Sequence, residues 1–182
     1  KKYGTESALT DFREYTMATP RKLAEYVGFT EREVRRLCEE HQMDFAEARH
    51  WYDGYSFPQM ESVYSPNSVM EAVKNREFGT YWTESGTYES LKLYIDMDED
   101  GLKEAIVQML GGAHCPIDIG TFQNDMTSIR RRDDVLTLLV YLGYLAYRAK
   151  DRTVSIPNEE VRQEFVRAVT VGRHREVANL IL

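Results

Sequence analysis

Cysteine is scarce in this sequence, and its two occurrences are far apart. Cys38 and Cys115 are the two thiols among 182 residues, and neither has a second cysteine at the short spacing of a metal-binding pair. This spacing excludes a cysteine-rich zinc knuckle and a disulfide framework, both of which need closely set thiols. A reducing, cytoplasmic setting therefore fits best. No basic, apolar and small-residue leader opens the chain, so nothing predicts secretion.

Long apolar runs are also missing. The longest stretch, Val135–Tyr147, is interrupted by Thr137 and Gly143 and is too short to span a bilayer. With 42% hydrophobic and 29% charged residues, the composition is that of a globular protein, so this stretch is expected to lie in a packed core. No membrane partner is predicted.

Motifs of nucleotide-binding and hydrolytic sites are absent as well. The sequence contains neither a G-x-x-x-x-G-K-[ST] phosphate-binding loop nor a G-x-G-x-x-G fingerprint, and Gly111-Gly112 is expected to end a helix. There is no G-x-S-x-G elbow. Four histidines are scattered without a pair at helical spacing: His41, His50, His114 and His174. We therefore predict no catalytic, cofactor-binding or metal-binding residue, and no enzyme activity, for this chain.

Positive charge is in the minority. The formal net charge is −7, and such an excess of acid works against non-specific binding of nucleic acid, which is a polyanion. A local basic group nevertheless stands at Arg148, Lys150 and Arg152. This group is interpreted either as the backbone-contacting wing of a DNA-binding module or as solvated surface. The acidic total favours the solvated surface.

Helix-start signals are the clearest features of the first half. Thr30 with Glu33 matches a capping box, in which two side chains satisfy amides at the helix start, and Asp44 repeats this pattern before a second helix. Ser65-Pro66 predicts a third start, with serine as the cap and proline at the first helical position. Apolar periodicity predicts that Val69, Met70 and Val73 form the buried face of this third helix.

Short strands and further helices complete the predicted pattern. The residues predict a hairpin of Tyr55–Phe57 and Val63–Tyr64 around a turn at Pro58–Glu61, and helices over Tyr88–Ile95 and Asp98–Leu110. Two alternatives remain open for Cys115–Phe122, a strand or an extended crossover.

The last third predicts a helix, a hairpin and a helix in that order. Asp133-Asp134 is expected to cap a helix that Gly143 ends, and Tyr144–Ala149 and Thr153–Ile156 form the two strands. Pro157-Asn158 opens the last helix, whose predicted apolar face is Val161, Phe165, Val166 and Val169. This order is what a winged-helix-like module needs. We therefore predict a mainly α fold with small β hairpins, in which a helical bundle over residues 1–125 is followed by a winged-helix-like module over residues 126–182.

Several short segments resemble motifs of the predicted AAA-ATPase-like family. Tyr26–Val34 resembles "CGFTEEEV", Trp51–Phe57 "WYDGYRF", Val63–Val69 "VYNPWSV", Tyr81–Thr87 "YWxxTGT", Gly143–Leu145 "GYLT" and Ile156–Arg162 "IPNxEVR". These segments follow the family order and extend over most of the chain. In that family, an ATPase-like region is commonly followed by a PD-(D/E)XK nuclease-like domain.

The resemblance implies a location between two active sites. The family's phosphate-binding loop would lie upstream of Lys1 and the nuclease-like site beyond Leu182, so no catalytic residue of either transfers to this chain. The resemblance therefore implies a non-catalytic lid and linker that couples the two regions. Its partners would be the adjacent domains of the parent chain, with ATP, a divalent metal and a nucleic acid bound by the parent.

The motif residues themselves have no assigned role. Those singled out by the resemblance are Trp51, Tyr52, Asp53, Gly54, Tyr55, Tyr64, Pro66, Trp82, Pro157 and Asn158. Two interpretations stand for Asp53 and Tyr55. They face a nucleotide or a partner across a domain junction, or Asp53 ties the turn after its helix while the ring of Tyr55 packs the hairpin.

Overall fold

The computed structural model describes residues 15–82, 101–122, 129 and 131–179, apart from the side chains of residues 121 and 171–179. Across this part the chain is mainly α-helical and carries two small antiparallel sheets, which confirms the predicted fold class at that level. None of its helices is both long and apolar enough to cross a membrane.

The first elements confirm the capping box. A 3-10 helix, Arg21–Tyr26, precedes strand β1 (Phe29–Thr30) and helix α1 (Glu31–His41). The Glu33 amide donates to the Thr30 hydroxyl at 3.4 Å, and the Glu33 carboxylate accepts from the Thr30 amide at 2.8 Å. This reciprocal pair satisfies amides that have no partner within the helix.

Helix α2 (Phe45–Tyr52) also begins where the sequence predicts. The Asp44 carboxylate accepts from the amides of Ala46 and Glu47, at 2.6 and 3.2 Å. Ala48 and Tyr52 are the buried residues of this helix, and Trp51 is half-buried beside them.

The predicted hairpin is confirmed with a tighter turn. Strands β2 (Tyr55–Phe57) and β3 (Met60–Tyr64) are joined by two residues, Pro58 and Gln59. Strand β3 also pairs with β1, so the first sheet has the order β1-β3-β2 with antiparallel neighbours.

Helix α3 (Pro66–Asn75) corrects two details of the prediction. Pro66 stands in the first turn as expected, but the Ser65 side chain caps no backbone amide, because its hydroxyl bonds the Ser68 hydroxyl at 3.0 Å. Met70 was assigned to the buried face and is 36% exposed, while Ala72 is buried instead. Helix α3 lies against α1 and α2, so this neighbourhood selects the buried face.

The middle of the chain continues with helix α4 (Leu102–Leu110), which begins later than the predicted Asp98. Gly101, with φ +84, occupies the N-cap and sets this later start, and Gly112, with φ +88, lies in the turn after the helix. The predicted helix Tyr88–Ile95 lies outside the described residues. The open segment Cys115–Phe122 contains strand β4 (Cys115–Pro116) and a second 3-10 helix, Ile119–Thr121.

Helix α5 (Arg132–Tyr141) and the second hairpin follow. The N-cap residue of α5 is Arg131, before the predicted Asp133-Asp134, and Asp134 takes part in the cap by accepting from the Arg131 amide at 3.1 Å. Strands β5 (Ala146–Arg148) and β6 (Thr153–Ser155) pair as predicted. Strand β4 joins the other edge of β6, which gives the second sheet the order β4-β6-β5.

The last helix, α6 (Glu159–Asn179), begins as predicted and buries part of the predicted face, with Val169 half-buried against the core. The Asn158 side chain caps it by accepting from the Val161 amide at 3.0 Å. Val161 and Phe165 are buried as expected, whereas Val166 is 40% exposed and Ala168 is buried in its place.

Two main groups of buried side chains organise the fold. We call the elements around the first group the N-terminal lobe; its core residues are Val34, Cys38, Ala48, Tyr52, Tyr64, Val69 and Ala72. The C-terminal lobe packs around residues of α4, α5, α6 and the second sheet, including Leu102, Ile106, Cys115, Leu136, Leu139, Tyr144, Val154 and Phe165. Helix α4 and strand β4 thus pack with the C-terminal elements. The predicted boundary between residues 125 and 126 lies outside the described residues.

Candidate functional site

Segments distant in the sequence meet where the two lobes touch. We call this contact the lobe joint and define it by Gly54, Tyr55, Tyr81, Trp82, Gly143, Pro157 and Glu160. Strand β2 of the first sheet lies beside β5 of the second sheet. The Tyr55 hydroxyl, which is buried, donates to the Gly143 carbonyl at 2.5 Å across 88 residues of sequence. This hydrogen bond connects two of the family-like motifs.

Gly54 allows the closest approach of the two lobes. Its φ of +123° is a conformation that residues with a side chain rarely adopt. A Cβ atom at this position would lie 1.9 Å from the carbonyl oxygen of Pro157. The turn after α2 therefore fits against the start of α6 because residue 54 has no side chain.

Trp82 extends the joint into the core of the C-terminal lobe. A Cβ atom on Gly143, whose φ is +83°, would lie 3.1 Å from the indole ring of Trp82. The ring centroid of Trp82 is 6.0 Å from that of Tyr144, and Tyr144 stacks edge-on against Phe165 at 6.4 Å. Such offset ring pairs add stabilisation beyond the area that they bury.

Glu160 fixes the backbone next to Trp82. One oxygen of its fully buried carboxyl accepts from two consecutive amides, those of Tyr81 at 2.7 Å and Trp82 at 3.0 Å. Burial raises the pKa of Glu160, and the neighbouring Glu164 raises it further. The residue lies within the IPNxEVR-like segment but was not among the candidate residues. The sequence carries no signal for it, because at 100° per residue Glu160 and Glu164 fall outside the apolar face predicted from Val161, Phe165, Val166 and Val169.

Asp53 ties the turn between α2 and β2. Its carboxylate accepts from the Gly54 amide at 2.7 Å and from the Ser62 hydroxyl at 3.0 Å, and the Arg49 guanidinium lies 3.6 Å away. The two hydrogen bonds use both carboxylate oxygens. Asp53 therefore joins the end of α2 to strand β3, and it also lines a groove.

The other aromatic motif residues belong to the N-terminal lobe. The Tyr52 hydroxyl donates to the Gly79 carbonyl at 3.0 Å and accepts from the Gly79 amide at 3.1 Å, which fixes the chain after α3. Tyr64 is fully buried, and burial raises the pKa of both phenols. Trp51 packs at the edge of this core.

The motif residues thus divide into two groups. The joint brings together Gly54, Tyr55, Trp82 and Pro157, and Asn158 caps the helix that begins beside them. The N-terminal core and its helix starts contain Trp51, Tyr52, Tyr64 and Pro66. Asp53 lies between the groups.

The basic hairpin residues lie at the surface. Arg148, Lys150 and Arg152 are all exposed at or beside the β5–β6 turn, and the Arg148 guanidinium lies 3.7 Å from the Asp151 carboxylate. Arg148 alone of the three lines the groove beside Asp53, whose volume is about 560 Å³. We call it the polar groove.

The polar groove collects charges of both signs. Its guanidinium groups come from Arg32, Arg49 and Arg148, and its carboxylates from Glu31, Asp53 and Glu61. Since the two sets are equal in number, the groove has no net formal charge.

A second groove, of about 750 Å³, lies beside the polar groove and shares Thr30 and Met60 with it. The first 3-10 helix and the turns of both hairpins line it. Of the family-like segments only Tyr26–Val34 contributes a lining residue, Thr30, so the larger volume of this groove does not favour it as the functional site.

Helix α5 exposes almost no surface. Every residue from Asp134 to Val140 is buried, including Thr137, whose hydroxyl donates to the Asp133 carbonyl at 2.7 Å. A helix that reads DNA bases must present several side chains to a groove of the duplex. In this chain α5 is a core helix.

The described residues also include potential metal ligands and two thiols. Among them, no group of three or more histidine, cysteine, aspartate or glutamate residues is arranged to hold a metal ion. Cys38 and Cys115 are free and buried, and burial raises the pKa of both thiols, which lowers their nucleophilicity at neutral pH.

Comparison of the chain with protein-family models, with curated proteins and with solved structures gives no match.

Proposed function

We propose that this chain is a non-catalytic accessory module of an AAA-ATPase-like protein. In this proposal it is the lid and linker that couples an upstream nucleotide-binding core to a downstream nuclease-like domain. One observation carries the proposal: segments that resemble family motifs at Gly54–Tyr55, Trp82, Gly143 and Pro157 converge on a buried contact between two lobes.

The chemistry of this contact favours a mechanical role. A catalytic group needs a reactive atom that substrate can reach. In the lobe joint, the Tyr55 hydroxyl is bonded to a carbonyl and the Glu160 carboxyl to two amides, and both side chains are buried. A packed, hydrogen-bonded joint moves as a unit, so displacement of one lobe is passed to the other.

The arrangement of the C-terminal lobe supports a winged-helix-like module. Helix α4, strand β4, the short 3-10 helix, α5 and the β5–β6 hairpin follow one another, and β4 pairs with β6. The helix, hairpin and helix expected of that module are α5, β5–β6 and α6. Because α5 is buried, we propose that the module serves packing against adjacent domains of the parent chain rather than base recognition.

Nucleotide assays test the accessory role directly. We expect this chain to show neither saturable binding nor hydrolysis of ATP with magnesium, whereas a chain extended upstream through a phosphate-binding loop binds ATP. Peptide sequencing and intact mass of the protein in its source cells establish whether such an extension exists. ATP turnover by the present chain that is lost on replacing one carboxylate or histidine would refute the proposal.

A second candidate function is contact with a nucleic-acid backbone. The observation that favours it is the convergence of Arg32, Arg49 and Arg148 on the polar groove. Among the described residues, Arg32 has no ion pair or hydrogen bond from its guanidinium, which leaves this group for a phosphate. Salt-dependent binding of DNA that is lost on replacing Arg148 would support this second function.

A further inference from the structure

Helix α6 buries two carboxyl groups one turn apart. Glu160 is 0% and Glu164 is 1% exposed. One oxygen of each accepts hydrogen bonds: Glu160 Oε1 from two backbone amides, and Glu164 Oε1 from Arg167 Nη1 at 3.2 Å. The other oxygen of each, Oε2, is buried; that of Glu164 has no hydrogen-bond partner among the described residues, and the Glu160 carboxyl has the Ser68 hydroxyl beside it as a further donor. A buried, ionised oxygen without a partner is costly.

The groups that face Glu160 come from five parts of the chain. They are the phenols of Tyr52 on α2 and Tyr55 on β2, the Ser68 hydroxyl on α3, the amides of Tyr81 and Trp82, and Glu164 on α6 itself. None of these groups carries a positive charge. The nearest cation of the pair is Arg167, which contacts Glu164 and keeps half of its side chain in solvent.

This environment favours a protonated acid. Removal of two neighbouring carboxylates from water, with the partly exposed Arg167 guanidinium against Glu164, opposes the doubly ionised state. The hydrogen bonds from Ser68 and from the amides of Tyr81 and Trp82 lower the pKa of Glu160 but do not outweigh its burial. Burial raises the pKa of both Glu160 and Glu164. A proton on Oε2 of Glu160 leaves Oε1 free to accept from the amides of Tyr81 and Trp82.

We propose that Glu160 and Glu164 form an acid pair that holds a proton while the lobe joint is closed, and that full ionisation of the pair loosens the joint. The proton passes to water or hydroxide as the joint opens. The acid pair contacts the joint through the backbone next to Trp82, so its ionisation acts on the contact between the Trp82 ring and Gly143. This device depends on the geometry of the joint alone and holds whether or not the accessory role is correct.

The direction of the pH effect follows from proton linkage. The folded-state pKa of Glu160 lies above the ordinary value of 4.5 that applies in the unfolded chain. Between these two values the folded chain binds more protons than the unfolded chain, so the free energy of unfolding decreases as the pH rises. The stabilisation is complete below pH 4.5 and is lost as the pH rises through the folded-state pKa.

The fluorescence of Trp82 provides a local readout. The chain has two tryptophans, so a Trp51→Phe background leaves Trp82 as the single emitter. We expect its emission to shift to longer wavelength as the pH rises from about 5 to about 9, where exposed glutamates are already ionised. Far-UV circular dichroism at each pH distinguishes local opening from global unfolding. A flat emission over this range would overturn the proposal.

Three isosteric variants assign the effect to the acid pair. Glu160→Gln should abolish the pH response of Trp82, because the amide still accepts the two hydrogen bonds but cannot ionise. Glu164→Gln should lower the midpoint, since it removes the interaction between the two carboxyls. Glu159→Gln is the matched control: this neighbour is paired with Arg162, and that contact lowers its pKa.

The variants keep the test decisive even if Glu160→Gln does not fold. In that case the pH midpoint of the Trp82 emission in Glu164→Gln decides. If this midpoint equals that of the Trp51→Phe parent, the two carboxyls do not act as a pair and the proposal is refuted. Equal midpoints in Glu159→Gln and Glu164→Gln, both shifted from the parent, would also contradict it. Loss of the response in Glu160→Gln, a lowered midpoint in Glu164→Gln and no change in Glu159→Gln would support it.

Discussion

Gly54 shows how a single residue determines the approach of the two lobes. Gly54→Ala places a methyl group against the Pro157 carbonyl at a φ of +123°. Backbone strain and overpacking together should lower the free energy of unfolding by about 3 kcal/mol or more. Urea denaturation gives this difference.

Gly79→Ala is the matched control for Gly54→Ala. A Cβ atom at residue 79 would have no neighbour within 4 Å, and φ there is not in the positive range. We expect a change of about 1 kcal/mol or less in either direction. Equal losses at Gly54 and Gly79 would show that the close contact with Pro157 does not matter.

Tyr55 tests the hydrogen bond across the joint. Tyr55→Phe keeps the ring but leaves the Gly143 carbonyl without its buried donor. We expect a loss of about 1 to 3 kcal/mol, the cost of an unsatisfied buried polar group. Tyr26→Phe, on a side chain that is 76% exposed, is the control and should change stability little. If Tyr55→Phe is as stable as Tyr26→Phe, the hydrogen bond from Tyr55 to Gly143 does not stabilise the joint.

At the scale of elements, the capping box of α1 gives a prediction with a pH dependence. Thr30→Ala removes the side-chain partner of the Glu33 amide and should cost about 1 kcal/mol at neutral pH. Thr30→Ser should retain most of the stability. Thermal or urea unfolding of the three proteins measures the difference.

The contribution of Glu33 to stability changes with pH in the direction opposite to that of Glu160. Hydrogen bonds from Thr30 lower the pKa of Glu33 below its ordinary value of 4.5. The contribution of the ionised carboxylate is therefore present above that value and is lost as the pH falls through the folded-state pKa. The difference between the parent and Thr30→Ala should narrow at acid pH, and a constant difference would contradict this explanation.

The elements that the sequence predicted are those with local causes. The Thr30–Glu33 and Asp44 caps and both hairpins depend on residues a few positions apart, and the structure confirms them. The errors at Met70 and Val166 concern which face a helix buries, and that choice depends on neighbours that pack from elsewhere in the chain. Local periodicity locates the apolar face of a helix only to within one residue. Because one residue corresponds to about 100° around the helix axis, an error of one residue exchanges a buried side chain for an exposed one.

The candidate site was less predictable for the same reason. The resemblance identified Gly54, Tyr55, Trp82 and Pro157, but no local pattern indicates that they meet. The Tyr55–Gly143 bond spans 88 residues, so it follows from the fold and not from spacing. A buried role for Glu160 could not be predicted, because glutamate side chains are almost always exposed to solvent.

At the scale of the whole molecule, the lobe joint predicts cooperative unfolding. Each of the two tryptophans reports a different place, Trp51 in the N-terminal lobe and Trp82 at the joint. In urea, Trp51→Phe and Trp82→Phe proteins should each show one transition that coincides with the loss of far-UV circular dichroism. Separate midpoints by fluorescence and dichroism within one variant would show that the lobes unfold independently.

Charge over the whole molecule decides between the two candidate functions. With a net charge of −7, a polar groove of balanced charge and a buried helix α5, we expect binding of a fluorescent DNA duplex with a Kd of about 10⁻⁴ M or weaker at physiological salt. Fluorescence anisotropy at several salt concentrations measures the affinity and its salt dependence. Inorganic phosphate as competitor separates binding of a free anion from binding of the polymer.

Variants of the polar groove then show which arginines contribute to any binding that is observed. Arg32→Gln and Arg148→Gln remove guanidiniums that line the groove, whereas Arg36→Gln, on the same helix as Arg32, removes a 78% exposed side chain that pairs with Glu40. If the groove binds a nucleic-acid backbone, we expect a Kd much tighter than about 10⁻⁴ M. Each groove variant should then lower the slope of log K against log salt concentration by about one, whereas Arg36→Gln should leave this slope unchanged. Such a result would move nucleic-acid binding ahead of the accessory role. Weak binding that is equal in all three variants would exclude the polar groove as a nucleic-acid site, and the accessory role argued from the lobe joint would remain the leading proposal.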